Sequence, residues 1–266
     1  MKLGTWILAL SSIAAGLFDL IWREFEPAHQ PIHALADVIP GEPFLAAIAA
    51  ALLILGGAAI LLPRTARYGA IALAIIYTVF ALFWIPRFVT APKYLGWHFT
   101  VFNGVVDGIA TQLIVAAAAL ILYTLNRPSH PLYTLNRPSH PRAVQIARWV
   151  FGLSAVDFGL AHLTGVAFVA TMMPSWFPLG GPFWVVVSGI AFVLAGVAIL
   201  ARVRDVLAAR LLALMFVCFS AFLLIPNIFA ASRDHLSWGS NAYNLAAAGS
   251  TLIFAAAISI RASDHG

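Results

Sequence analysis

Three carboxylates lie inside long apolar segments of this chain, at Asp19, Asp107 and Asp157. A carboxylate at bilayer depth costs about 2.5–3.5 kcal/mol on insertion scales, so such residues usually face the interior of a helix bundle and often mark function. Asn103 and Asp107 are four residues apart and Thr111 continues the same face, which gives one helix a polar stripe. The stripe predicts a proton-accepting or headgroup-binding groove, with hydrogen bonds between helices as the simpler alternative.

A second group of polar residues combines histidines with a glutamate. His29 and His33 are four residues apart, and Glu26 lies about one helical turn earlier. Imidazole and carboxylate groups at helical spacing can bind a transition metal. Pro27 and Pro31 disfavour the helix that would bring the three side chains to one face. A metal site at Glu26, His29 and His33 is therefore a disfavoured alternative.

Three further histidines fall on one side of a membrane if every long apolar segment crosses it once: His98, His162 and His235. Histidines on separate helices can ligate haem or hydrogen-bond a quinone carbonyl, and ordinary packing at the interface is the simpler interpretation. Among ligands, the sequence favours a quinone or a lipid headgroup over haem and metal. Asn244 lies in the last apolar segment, at the end on the same side of the membrane as these histidines. Trp176 lies in a short apolar segment that suits either lipid packing or the entrance of a quinone tail.

The composition requires lipid as the solvent for these segments. Hydrophobic residues make up 62% of the 266-residue chain and charged residues 9%, whereas soluble domains have about 45–50% and 25%. A helix crosses a bilayer core with about 20 apolar residues. The sequence thus predicts an all-α, polytopic membrane protein with no separate soluble domain. Its eight transmembrane helices are expected at 4–22, 43–62, 68–86, 98–124, 146–168, 182–201, 206–226 and 240–260.

The basic residues predict the orientation of these helices. If the spans alternate, eleven of the fifteen Lys and Arg residues lie on the side of the N-terminus, and the other four are Arg23, Arg87, Lys93 and Arg233. The positive-inside rule then predicts a bacterial-type inner membrane with both termini in the cytoplasm. The net charge of +5 is explained by topology, so we expect lipid and protein partners and no nucleic acid.

Motifs of self-contained enzymes are absent from the sequence. Cys218 is the single cysteine, so a dithiol mechanism within the chain is excluded. The chain contains no GxGxxG after a strand, no GxxxxGK[ST], no HExxH and no GxSxG.

The chain contains an internal repeat. Five matching pairs keep an offset of 139 to 141: Pro43 with Pro182, Gly57 with Gly196, Pro86 with Pro226, Trp97 with Trp238, and Asn103 with Asn244. Each repeat has four spans, an even number, so the two repeats point the same way. We expect a first repeat at 1–124, a linker at 125–145 and a second repeat at 146–266, with the repeats forming two parallel four-helix bundles. Within the linker region, LYTLNRPSHP occurs at 122–131 and again at 132–141, and we assign no function to it.

The second repeat resembles the DoxX/DoxD-like family of small four-helix membrane proteins. The resemblance rests on FGLAHLTGVAFVATMMPSWFPLGGPFW at 158–184, SGIAFVLAGVAIL at 188–200 and IPNIFAA at 225–231. The matching residues are Gly159, His162, Pro174, Trp176, Pro178, Pro226 and Asn227. In the first repeat Asp19 replaces the histidine and Arg87 replaces the asparagine.

The resemblance implies a membrane subunit associated with oxidoreductases, including quinone-linked sulfur oxidation. The expected role is docking of a membrane or peripheral partner, through Gly56, Gly57, Gly189 and Gly196, or formation of a quinone site. Two alternatives remain open: a transporter of a small solute or proton along the Asp107 stripe, and a ligand-free assembly factor. The candidate ligand-binding residues are His162, Asp19, Asp107, Asn103, His98, Asn244 and Trp176.

Overall fold

The computed structural model describes residues 1–29, 40–126 and 141–263, and within them every regular element is helical. One of these elements, Ser220–Leu224, is a π-helical segment. The helices are α1 (Lys2–Trp22), α2 (Glu42–Leu61), α3 (Ala66–Phe83), α4 (Arg87–Leu95), α5 (Phe99–Leu125), α6 (Pro141–Thr164), α7 (Val166–Ala170), α8 (Gly181–Ala201), α9 (Asp205–Phe219), α10 (Ile225–Ala230) and α11 (His235–Ser263).

Eight of the described helices are long and apolar enough to cross a membrane. They are α1, α2, α3, α5, α6, α8, α11 and the continuous length formed by α9, the π-helical segment and α10. Over the described residues, the predicted all-α class and the eight helices of sufficient length and hydropathy are therefore confirmed, and the chain fits a multi-pass membrane protein. The short helices α4, α7 and α10 lie at one end of the long helices.

The second span of each repeat begins in the same way. Gly41 and Gly180 precede α2 and α8 with positive φ angles of 70° and 77°, a conformation that glycine adopts without strain. Pro43 and Pro182 then occupy the first turn, where a missing N–H leaves no hydrogen bond unmade. The repeated sequence thus sets the same helix start twice.

The two repeats have the same pattern of helix packing, and each also packs against the other. The first helix of each repeat packs on the last helix of the other, α1 on α11 and α6 on α5. Within the repeats, α1 packs on α2, α2 on α3 and α3 on α5, and the second repeat matches with α6 on α8, α8 on α9 and α9 on α11. The central pair, α5 and α11, are also in contact. The expected division into two separate four-helix bundles is not confirmed by these contacts.

Close approaches at glycine join the first two spans of each repeat at equivalent positions. A Cβ placed on each of four glycines would meet a backbone oxygen of the facing helix at 2.6–2.7 Å, which leaves no room for a side chain. The glycine and oxygen pairs are Gly16 with Ala50, Gly57 with Ala9, Gly159 with Gly189, and Gly196 with Gly152. Small residues that let backbones approach are the usual means of packing helices in lipid.

These contacts correct the expected docking surface. Gly56, Gly57, Gly189 and Gly196 are buried, and each faces another helix of this chain. They therefore hold the fold together and do not present an exposed face to a partner.

The two ends of the bundle differ in chemistry. At the arginine end, which holds Arg148 and Arg202, the Arg148 guanidinium lies 2.7 Å from the Asp205 carboxylate and donates to the Ile199 carbonyl at 2.7 Å. The opposite end, which we call the histidine end, holds His29, His98, His162 and His235. All the candidate ligand-binding residues lie toward the histidine end.

Candidate functional site

A large cavity lies between the two repeats toward the histidine end. Its volume is about 1460 Å³, above the 300–1,000 Å³ of ordinary small-molecule pockets. Helices α4 and α5 form one side, α6 to α10 form the other, and α11 contributes Asn244. Five of the seven predicted ligand-binding residues line it together: His98, Asn103, Asp107, His162 and Asn244.

A hydrogen bond between carboxamide and carboxylate joins the repeats beside the cavity. Asn103 on α5 donates through Nδ2 to Oδ1 of Asp157 on α6 at 2.6 Å. Oδ1 of Asn103 and Oδ2 of Asp157 are buried and have no hydrogen-bond partner. One turn further along α5, Asp107 lines the cavity, and Thr111 donates to its backbone carbonyl at 2.8 Å. The predicted stripe thus exists, and Asp157 is a member that the sequence did not connect to it.

His162 contributes a hydrogen-bond acceptor to the cavity. Its Nδ1 lies 2.8 Å from the carbonyl oxygen of Phe158. Because a carbonyl only accepts, Nδ1 carries the hydrogen, and Nε2 of the neutral ring is then an acceptor. Phe192 and Phe219 hold the ring, with centroid distances of 5.2 and 6.1 Å. The local reason is the spacing of four residues between Phe158 and His162, which brings the ring back onto its own helix.

Asn244 stabilises the wall of the cavity. Its Nδ2 donates to the Phe216 carbonyl at 2.6 Å and to Oγ of Ser220 at 2.9 Å. Ser220 begins the π-helical segment, and Pro226, which lacks an N–H, follows it. A π-helical turn widens a helix locally and is frequent at functional sites. Asn244 therefore fixes this irregular turn from the neighbouring helix.

The body of the cavity is apolar, and α7 with the turns that follow it forms its outer wall. Phe168, Met172, Met173 and Phe177 line it from α7 and the following turns, and no residue of α7 is buried. Trp176, in contrast, is 64% exposed and does not line the cavity. Its ring packs beside the ring of Phe177, with 4.9 Å between their centroids. Trp176 therefore lies on the outer surface of this segment, and a tail entrance here stays a prediction.

Asp19 lies in a different site, in a group that we call the acidic–histidine cluster: Asp19, Glu24, Glu26, His29 and His235. Asp19 is fully buried on α1. Its Oδ1 accepts the backbone N–H of Glu26 at 3.0 Å and lies 3.4 Å from Nε2 of His235 on α11. Nδ1 of His235 lies 3.2 Å from Oε1 of Glu24. The packing of α1 on α11, which the sequence did not predict, brings these residues together.

Burial changes the protonation of the loop residues in this cluster. Desolvation raises the pKa of Glu26 from 4.5 to about 7 and lowers the pKa of His29 from 6.5 to about 4, since burial disfavours each charged form. The His29 ring stacks on Phe80 at 4.1 Å, and neither of its nitrogens has a hydrogen-bond partner. Glu26 packs against Gly239, where a Cβ would overlap its side chain. Loop 23–29 is thus folded into the bundle.

The disfavoured metal site gains no support from this geometry. Glu26 uses Oε2 to accept the N–H of Ala28 at 2.7 Å, while the His29 ring is packed on an aromatic face. His33 lies outside the described residues. Across 1–29, 40–126 and 141–263, no group of three or more His, Cys, Asp or Glu side chains could hold a metal ion.

Three side chains, from the end of α3, from α4 and from α5, brace the loop, and sequence reasoning assigned none of them this role. Arg87 donates to the Pro27 carbonyl at 3.1 Å and lies 3.8 Å from the Trp84 ring centroid. Trp84 donates to the Ala28 carbonyl at 2.8 Å, and Gln112 donates to the same oxygen at 3.4 Å.

Comparison of the chain with protein-family models, with curated proteins and with solved structures finds no match.

Proposed function

We propose that this protein is a DoxX-like integral membrane subunit that forms a quinone site for a redox or quinone-linked membrane complex. The observation that carries the proposal is one cavity with polar groups at Asn103, Asp107 and His162 and an apolar body at Phe168 to Phe177. A quinone has the same division, with a polar ring and a long apolar tail. The excess of arginine at one end favours a bacterial-type inner membrane with that end in the cytoplasm.

The polar atoms of the cavity favour the reduced form of the ligand. Asn103 donates one of its two amide hydrogens to Asp157, and its Oδ1 is a buried acceptor without a partner. His162 uses Nδ1 on its own helix, so Nε2 of the neutral ring accepts. The two hydroxyl groups of a quinol donate hydrogen bonds, whereas the carbonyls of a quinone accept them. We therefore expect tighter binding of the quinol at this site.

The test begins with the purified protein in a mild detergent. We expect extraction with organic solvent to release quinone or quinol, and a stripped sample to bind an added short-tail quinol. Asp107→Leu should weaken that binding because it removes an acceptor from the cavity. The matched control is Trp176→Phe, since Trp176 does not line the cavity. No extractable quinone together with no binding on add-back would refute the proposal and favour a ligand-free assembly role.

A further inference from the structure

We propose that the acidic–histidine cluster, continued by Tyr243, carries protons between water at the histidine end and the carboxylate of Asp107 in the cavity. The inference deepens the proposed function, because a quinol site exchanges protons with water. The transfer itself does not depend on a quinone, and it can be measured in the protein alone.

The outer half of the path is a histidine between two acids. Glu24 has a side chain 49% exposed to solvent, and its Oε1 lies 3.2 Å from Nδ1 of His235. Nε2 of the same ring lies 3.4 Å from the fully buried Asp19. The indole of Trp22 stacks on the imidazole of His235, with a distance of 4.9 Å between ring centroids and an angle of 3° between ring planes. This stacking fixes the plane of the imidazole. An imidazole that faces one acid from each nitrogen can accept a proton on one side and release it on the other.

The middle of the path is buried and has polar atoms without partners. Oδ2 of Asp19 and both ring nitrogens of His29 make no hydrogen bond. Leaving a buried polar atom unpaired is unfavourable, and ordered water commonly bonds to such atoms in proteins. Glu26 lies beside them with a pKa near 7, so it exchanges a proton readily near neutral pH. Water molecules bonded to these atoms would connect Asp19, Glu26 and His29.

Tyr243 on α11 connects the cluster to the cavity. Its ring lies 6.3 Å from the His29 ring. Tyr243 interacts with the side chain of Thr111 and electrostatically with the carboxylates of Asp107 and Glu26. A phenol hydroxyl donates one hydrogen bond while it accepts another. Tyr243 is therefore placed between the buried loop and the stripe on α5.

The path runs behind the cavity wall and does not use the cavity mouth. Pro27, Trp84 and Arg87 line the cavity next to the loop, and none of the residues of the cluster lines it. The charged and titratable groups that face the cluster from the neighbouring helices are Arg87 near Glu26 and Tyr77 near His29. Arg87 keeps the loop in place through the Pro27 carbonyl.

The proposed step is proton transfer alone. One O–H bond breaks at Asp107 while one forms at the next acceptor, and Glu24 finally gives a proton to water. The same steps reversed bring a proton in. No electron moves along these groups, and no bond other than O–H or N–H changes.

The experiment measures how fast the Asp107 carboxyl group exchanges hydrogen for deuterium. Reconstituted full-length protein is perfused with D₂O, and the carboxylic C=O band is followed by infrared spectroscopy at a pH where that band is present. Its assignment comes from its loss in Asp107→Asn. We expect Tyr243→Phe to slow the exchange on the order of a hundredfold, since it removes one proton-transferring group. The matched control is Tyr77→Phe, which alters the other tyrosine beside His29 and should leave the rate unchanged.

Asp19→Asn provides a second variant in case Tyr243→Phe does not fold, and it should slow the exchange as well. Wild-type exchange rates in both folded variants would overturn the proposal, because Asp107 would then receive protons through the cavity mouth. Equal slowing in Tyr77→Phe would also overturn it, since that result indicates a general change in packing. If quinol does not bind but Tyr243→Phe still slows exchange, the proton path stands and the proposed function fails.

Discussion

Replacing Glu26 by Gln should make the protein more stable at alkaline pH and leave its stability nearly unchanged at acid pH. Burial raises the pKa of Glu26 from 4.5 to about 7, so the folded protein favours the neutral acid. The stabilising contribution of the neutral acid is complete below about pH 4.5 and is lost as the pH rises through 7. Gln resembles the neutral acid and keeps an oxygen that accepts the N–H of Ala28.

The magnitude follows from the difference between the folded and unfolded pKa values of Glu26. Each pKa unit corresponds to about 1.4 kcal/mol, so ionising this carboxyl in the folded protein costs about 3 kcal/mol more than in the unfolded chain. At pH 8 the Gln variant should therefore be about 3 kcal/mol more stable than the wild type. At pH 4, below the pKa of the unfolded chain, the two should be nearly equal. For a chain of this size, the difference at pH 8 is about 6–12 °C in the melting temperature.

Thermal unfolding in detergent, measured from pH 4 to pH 8, provides the assay. His29 has the opposite sign, because burial lowers its pKa from 6.5 to about 4, and its contribution is lost as the pH falls through that window. His29 is present in both proteins, so the difference between wild type and Glu26→Gln isolates Glu26. Glu24→Gln is the matched control, a carboxylate of the same loop that is half exposed. A stability difference of the same size at pH 4 and pH 8 would refute the reasoning.

Three further predictions concern packing and can be checked by thermal unfolding and hydrogen exchange. Gly196→Val should destabilise the protein by about 1–3 kcal/mol, because a Cβ there meets a backbone oxygen at 2.6 Å, whereas Gly104→Ala, with open space around it, should be nearly neutral. Arg148→Met should cost about 1–3 kcal/mol through loss of a largely buried ion pair and a bond to a carbonyl. Asn244→Ala should cost about 1 kcal/mol and speed amide exchange at 220–224, and unchanged exchange there would contradict its role in holding the π-helical turn.

Hydropathy and the internal repeat made the fold largely predictable from the sequence. Each span needs about 20 apolar residues to cross a bilayer. These residues are consecutive, so the span can be recognised from the sequence alone. The start of α8 repeats the start of α2 because Gly180 and Pro182 match Gly41 and Pro43. The polar stripe at Asn103 and Asp107 was also visible, since helical spacing alone places both side chains on one face.

Contacts between distant helices could not be predicted in the same way. Asp19 and His235 lie 216 positions apart, and nothing local indicates that α1 packs on α11. The Asn103–Asp157 bond depends in the same way on the packing of α5 on α6. The sequence assigned Gly57 to a face for a partner, and only the structure shows that it faces a helix of its own chain. Similar depth in the membrane is the one sequence signal that could have paired Asp19 with His235.

The first helix of each repeat packs on the last helix of the other repeat, so the two halves depend on each other for their packing. Neither half covers both of its outer surfaces alone, because the side of α1 is covered by α11 and the side of α6 by α5. Two halves related by a twofold axis could cover each other in the same manner, since equivalent helices form both contacts. The present chain thus packs as a symmetric dimer would, with the polar stripe at Asp107 in one half and the cavity histidine His162 in the other.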